Sequence, residues 1–267
     1  REPVPVARLL GMSKAQAGAK PAAYAGALVG RQDELAQLIG FLQPLSSGQF
    51  AGVAYVYGEA GIGKSRLVYE LRNRISDLHW LTCPAEQILR QSLYPFKHVL
   101  RGYFDQSTEL SEEENKARFN EILDALIADL QASTFAEIVR ELQRTRPMLG
   151  ALVDLHWPGS LYEQLEPKLR FENTLAAFKT LIVAESLRRP LVLHIEDAHW
   201  LDADSEELLR VLTRNVAGYP FAVLLTGRYR DDGSRFTVNV DADVPQQTVD
   251  LQALSPAGIR ELAEQVL

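Results

Sequence analysis

YVYGEAGIGKSRLVYEL, residues 55–71, joins three unlike segments. Its first residues continue GVAYVYG, a short β-rich run that Gly58 ends. Leu67, Val68, Leu71 and Ile75 then recur at helical spacing. Between strand and helix lies G-x-x-x-x-G-K-S, Gly58 to Ser65. A polyphosphate is wrapped by backbone N–H groups, so the loop must carry little side-chain bulk, and Gly58, Gly61 and Gly63 supply close approach and unusual φ. A helix starting near Lys64 aims its positive end at the phosphates. Lys64 is placed to reach the β- and γ-phosphates and Ser65 to hold Mg²⁺. The binding candidates are therefore Gly58, Glu59, Ala60, Gly61, Ile62, Gly63, Lys64, Ser65 and Arg66. The bland alternative, a chance glycine-rich turn, does not account for a strand before and a helix after.

Two further strand ends belong with this loop. LVLHIEDAHWLD, from Leu191, puts Glu196 and Asp197 at the end of an apolar strand, where ligands of open α/β sheets sit. We assign Glu196 to the metal and Asp197 to orienting the attacking water; the plain alternative is an acidic strand-to-helix turn. His194 and His199 flank the pair, but zinc needs three or four ligands and no cysteine or further histidine is near in sequence. His194 reads as a sheet-face residue and Trp200 as packing. Asp204, three residues before Glu207, suggests a helix cap. LLTGRYRDDG, from Leu224, ends a third strand with Thr226, Arg228 and Arg230. An arginine there can stabilise charge on the γ-phosphate, with Arg230 the preferred candidate and Arg228 the second. The alternative is an incidental salt bridge to Asp231 and Asp232. The catalytic set is thus Lys64, Asp197 and Arg230.

Apolar strands alternating with helices predict an α/β fold, a mostly parallel sheet covered on both faces. Its class is a P-loop NTPase, three-layer α/β/α, with a helical insertion and, as the family resemblance of its motif order implies, a truncated lid. Residues 1–27, rich in Pro, Ala and Gly, read as a linker; 28–250 as the core, with about 95–188 a mostly helical insertion or lobe that Pro147, Pro158 and Pro167 punctuate; and 251–267 as the start of a helical lid. Glu112, Glu113 and Glu114 read as a solvated helix start.

The chain has 267 residues, 46% apolar and 24% charged, enough for a sizeable core and unlike collagen, a disulfide scaffold or a disordered chain. Its 28 Lys and Arg against 35 Asp and Glu, a formal charge of −7, oppose a non-specific nucleic-acid binder. The single cysteine, Cys83, excludes an intrachain disulfide and reads as a small buried hydrophobe. No apolar run reaches the length of a membrane span and no secretory pattern opens the chain, so the expectation is cytoplasmic, with no membrane partner. A start at Arg1 rather than Met suggests part of a longer protein.

The order LVGRQDELAQL, GEAGIGKSRL, RRPLVLHIEDAHWLDADSEELL, LLTGRYR resembles the nucleotide-binding module of STAND-class signalling ATPases in the AAA+ superfamily, over roughly residues 28–267. The resemblance implies ATP/ADP and Mg²⁺ as cofactors, slow hydrolysis used as a conformational switch, and possible nucleotide-dependent self-association. It also implies that Val29, Gly30 and Arg31 lie against the adenine or ribose. EPVPVARLLG is similar to the stretch that follows a class III nucleotide cyclase domain in cyclase–ATPase–TPR regulators. The implied partners are then a cyclase-like domain upstream and helical repeats downstream. LuxR-type transcriptional regulators with the same module are the competitor. Relatives often carry Asp where Glu196 stands, which loosens the inference about metal geometry. A non-hydrolysing nucleotide-gated scaffold and a DNA-acting AAA+ motor are the rival functions, the second opposed by the acidic balance.

Overall fold

The computed structural model describes residues 26–86, 91–131, 135–230 and 232–266. Most of the expected linker, together with Asp231, lies outside them.

Five strands form one sheet among these residues: β1 (Gly52–Tyr57), β2 (His79–Pro84), β3 (Leu191–Glu196), β4 (Phe221–Gly227) and β5 (Gln246–Asp250). Their order is β2-β3-β4-β1-β5, and every neighbouring pair is parallel. The chain leaves β1 to reach β2 at the far edge, then leaves β4 to cross β1 and reach β5. Tyr57 stands opposite both Gly227 and Asp250, and Pro84 opposite Glu196. The carboxyl ends of the strands therefore form one row, and the crevice outside it is where such sheets hold ligands.

Alternation along β1 explains the layers. Ala54 and Val56 face α1 (Gln32–Leu42) and α2 (Lys64–Arg74), packing with Leu38, Leu42, Leu67 and Leu71. Val53, Tyr55 and Tyr57 face the other way, into a larger core. That core is closed by α3 (Tyr94–Tyr103), α4 (Glu112–Gln131), α5 (Ala136–Leu152), the short α6 (Leu161–Gln164), α7 (Pro167–Arg188) and α8 (Ala203–Leu212). α7 lies on β3 and β4, while α5 packs on α7 and α4 on α5. Phe96 of α3 meets Phe178 of α7 edge-on, with ring centroids 5.0 Å apart. The result is the expected three-layer α/β/α sandwich of P-loop type, its central strands buried on both faces and hence read as continuous apolar runs.

Local features depart from expectation in three places. Pro147 does not break the helical region but sits inside α5, where Met148, Leu149 and Leu152 are buried beyond it. Tertiary burial there outweighs the lost backbone hydrogen bond. The cap of α8 is Asp202 rather than Asp204: its carboxylate accepts from Ser205 N–H at 3.0 Å and from Ser205 Oγ at 2.6 Å. β5 has no counterpart in the sequence reading, because an edge strand covered on one side, QQTVD, lacks an apolar run. Two local readings hold. Glu112–Glu114 open α4, where Ser111 and Glu114 form a capping box: Glu114 N–H donates to Ser111 Oγ at 3.2 Å, and Ser111 N–H to the Glu114 carboxylate at 2.8 Å. Cys83 is fully buried, and burial pushes its thiol pKa up. Among the described residues no helix is long and apolar enough to cross a membrane.

Candidate functional site

The loop between β1 and α2 is shaped by glycine for two different reasons. Gly61 and Gly63 adopt φ of 75° and 105°, left-handed values that disfavour any side chain although space is free. At Gly58 space is what is missing: a Cβ would stand 2.7 Å from Ile62 Cγ2 and 3.1 Å from Leu251 Cβ. α2 begins at Lys64, directly after this bend, so its unpaired N–H groups face the loop.

A cavity of about 320 Å³ opens there, lined by Ala60, Gly61, Gly63, Lys64, Ser65, Arg66, Glu196, Asp197, Thr226 and Arg228. The Lys64 ammonium donates to the carbonyls of Gly58 at 2.7 Å and Glu59 at 2.9 Å, which holds it over the loop. Burial pushes its pKa down; Asp197 opposes that shift, while Arg228 adds to it. Such a pocket of fixed donors and crowded cations favours an anion. Ser65 Oγ lies 3.4 Å from Glu196 Oε1, so the two predicted metal ligands, from different elements, do meet. No group of three or more His, Cys, Asp or Glu among the described residues could hold a metal ion unaided. The Ser65–Glu196 pair is the partial oxygen set that Mg²⁺ takes when phosphates complete its shell. The residues present thus fit Mg²⁺ with a nucleotide polyphosphate.

Asp197 follows β3 in the left-handed conformation, φ 54°, and this turn brings its carboxylate to the cavity. Non-glycine residues rarely adopt such a φ outside strained, functional turns. The two arginines after β4 separate. Arg228 lines both the phosphate cavity and a neighbouring one of about 450 Å³, whereas the preferred Arg230 lines only the second, with His199, Trp200 and Tyr229. The reason is local: the chain leaves the sheet at Gly227 and turns, with Arg230 N–H donating to Ser234 O and Gly233 N–H to Arg230 O, both at 2.8 Å.

Val29 and Arg31 are buried, each 5% exposed, and neither lines the phosphate cavity. The Arg31 guanidinium turns inward, bonding Glu34 at 3.0 Å, the Ile62 carbonyl at 3.3 Å and the Gln252 carbonyl at 2.5 Å. It braces the phosphate loop against the segment that follows β5.

Two contributions escaped the sequence reading. Thr226, noted there as a strand end but given no role, lines the cavity, and its Oγ1 lies 3.1 Å from His194 Nε2. His199 joins two strand ends: Arg228 N–H donates to its Nδ1 at 3.3 Å, and Asp197 Oδ1 stands 4.0 Å away. The carboxyl-end rule for open sheets marks both positions.

The family described as AAA ATPase domain matches residues 27–225. A curated relative, an uncharacterized protein of Rhizobium meliloti (strain 1021), is 28% identical over 213 residues, which is 76% of this chain and 19% of that protein. Solved structures similar to it include the Aeropyrum pernix ORC1 protein in complex with DNA (TM-score 0.46, 15% identity, 92% of this chain and 51% of that one). The Drosophila ORC bound to DNA is another (TM-score 0.44, 16% identity, 89% and 32%). At these TM-scores the likeness carries no weight for function, and the DNA is those proteins' own ligand. The family match spans the loop, both acidic residues and most of the sheet, and on that ground the chain belongs to the AAA ATPase domain family.

Proposed function

We propose that the chain is the nucleotide switch of a larger STAND-class signalling protein, binding Mg·ATP, hydrolysing it slowly and holding its neighbouring domains in different arrangements with ATP and with ADP. The observation that carries this reading is the single cavity onto which Lys64, Ser65, Glu196, Asp197 and Arg228 converge from three strand ends. In it the loop amides and Lys64 hold the phosphates, Ser65 and Glu196 hold the metal, Asp197 orients the attacking water, and Arg228 faces the terminal phosphate with Arg230 beside it. Bound Mg²⁺ supplies neutralisation of phosphate charge. Val29 and Arg31 act at the nucleotide's edge by fixing the loop, and the Arg31 link to Gln252 ties that loop to residues 251–267, the start of a lid.

Within the whole protein, of which the chain spans 19% in its curated relative, we place a class III cyclase-like domain upstream and helical repeats downstream. A LuxR-type regulator is the alternative setting. Self-association follows the nucleotide state, the compartment is the cytoplasm, and the −7 charge favours protein partners over nucleic acid.

The test is γ-phosphate release by this chain above a no-enzyme control, abolished in Lys64→Ala. Nucleotide binding without turnover in the full-length protein removes the hydrolytic part and leaves a nucleotide-gated scaffold.

A further inference from the structure

A third cavity, of about 240 Å³, opens in the helical layer where the first turns of α3 and α7 meet the end of α5. It shares no lining residue with the phosphate cavity. Among the described residues its charged lining side chains are Lys97 and Arg170, and no carboxylate lines it. Neither cation has an ion pair among the described residues. Arg170 donates from Nη2 to the Leu165 carbonyl at 3.1 Å and lies over the Tyr162 ring, 4.7 Å from its centroid. Its Nε is buried without a hydrogen-bond partner. A buried donor without an acceptor is destabilising, and two unpaired cations at one cavity repel. An anion in the cavity offsets the charge of both side chains. The remaining wall combines Leu93, Leu152, Tyr162 and Phe171 with the hydroxyl residues Ser92 and Thr174. The volume lies just under the range of drug-sized pockets and suits a ligand of roughly ten heavy atoms.

We propose that this cavity binds a small organic anion, one carboxylate or phosphate group on a compact aromatic body. Arg170 and Lys97 hold the anionic group, and Tyr162 and Phe171 flank the body. The inference stands independently of the nucleotide reading.

Titration calorimetry of the 267-residue chain with benzoate and with phenyl phosphate tests it, benzyl alcohol being the uncharged control. The expected result is one saturable site for at least one of the two anions, with a Kd on the order of 0.1–1 mM; which anion binds identifies the group. Benzyl alcohol does not saturate. Arg170→Gln weakens binding about tenfold or more and Lys97→Gln about threefold, as loss of charge-assisted hydrogen bonds requires. Lys64→Ala leaves it unchanged. Arg170→Lys keeps part of the affinity, and should Arg170→Gln not fold, Lys97→Gln on its own carries the test. The proposal is overturned if neither anion saturates below about 10 mM, or if benzyl alcohol binds as well as the tighter of the two anions. It is equally overturned if Lys64→Ala abolishes binding that Arg170→Gln and Lys97→Gln leave intact, which puts the anion on the phosphate loop.

Discussion

Glu59, Ala60 and Gly61 in the phosphate loop are exposed, and the turns around it hold left-handed residues and crowded cations. Phe96, Phe119 and Phe178 in the helical layer are fully buried. Both regions rest on the same sheet. The loop is held by backbone conformation and a few hydrogen bonds, the layer by interlocked apolar volume. The difference teaches where each kind of substitution acts: the layer sets whether the chain folds, and the row of strand ends sets what the folded chain can do.

The largest expected effect tests the first half of that division. Phe178→Ala removes a fully buried ring that packs on Phe96 at 5.0 Å, and should cost about 3–5 kcal/mol. Urea unfolding measures it. ATP affinity of the molecules still folded should stay within about twofold, well under one tenfold step of 1.4 kcal/mol; a larger loss means that the layer and the loop are not separable.

Lys64→Ala tests the other half. Among the described residues its ammonium bonds only the loop's own carbonyls, of Gly58 and Glu59, so removal should leave the melting temperature within about 2 °C. Phosphate release should fall about a hundredfold or more, the scale of losing one preorganised charge, about 2.7–4 kcal/mol. Asp197→Asn gives a cleaner probe of chemistry than alanine, because asparagine tolerates the left-handed φ of 54°.

This division also decides how much could be read without a structure. The loop from Gly58 to Ser65 and the acids after β3 were legible because backbone conformation and strand ends leave fixed spacings in sequence. Glu196 could be paired with Ser65 from their positions alone, and the two do meet. The sequence reading prefers Arg230 to Arg228, yet Arg228 is the one that lines the phosphate cavity, since strand alternation stops at Gly227 and the turn that follows is set by backbone bonds to Ser234. Arg31 depends on Gln252, over two hundred residues away, a contact that no local pattern encodes. In the layer, helices were visible by period, but Pro147 misled because tertiary burial overrides a local breaker.

His194 lies where the two regions join, on β3 with its ring against Thr226 of the phosphate cavity. Burial holds its pKa down to about 4, with the charge of Arg72 pushing the same way. The unfolded chain takes up that proton near pH 6.5, whereas the folded chain does not until about pH 4. Stability is therefore lost as pH falls through this window, by up to about 1.4 kcal/mol per pH unit. Unfolding free energies taken between about pH 6.5 and 4.5 should drop more steeply in the native chain than in His194→Gln, which has no such proton to bind. Equal slopes would mean that the imidazole is already charged in the fold.

Asp202 gives the finest test, because it ties two helices of the layer, α8 and α3, a few residues beyond the acidic turn. Its carboxylate caps α8 through Ser205 and also accepts from Leu93 N–H at 3.4 Å, at the start of α3. Losing a side-chain cap usually costs about 1 kcal/mol, and up to 2. At 3.4 Å the bond to Leu93 is long and adds little. Asp202→Ala should therefore lower the melting temperature by about 2–4 °C, the shift that 1 kcal/mol produces in a chain of this size. Asp202→Asn, which keeps an acceptor for Ser205 N–H, should recover most of it. Turnover at 25 °C should change less than about twofold in either variant, because no part of Asp202 lines the phosphate cavity. A loss of turnover well beyond the loss of stability would show that the start of α3 helps to position the acidic turn, and the boundary between folding layer and working edge would have to move.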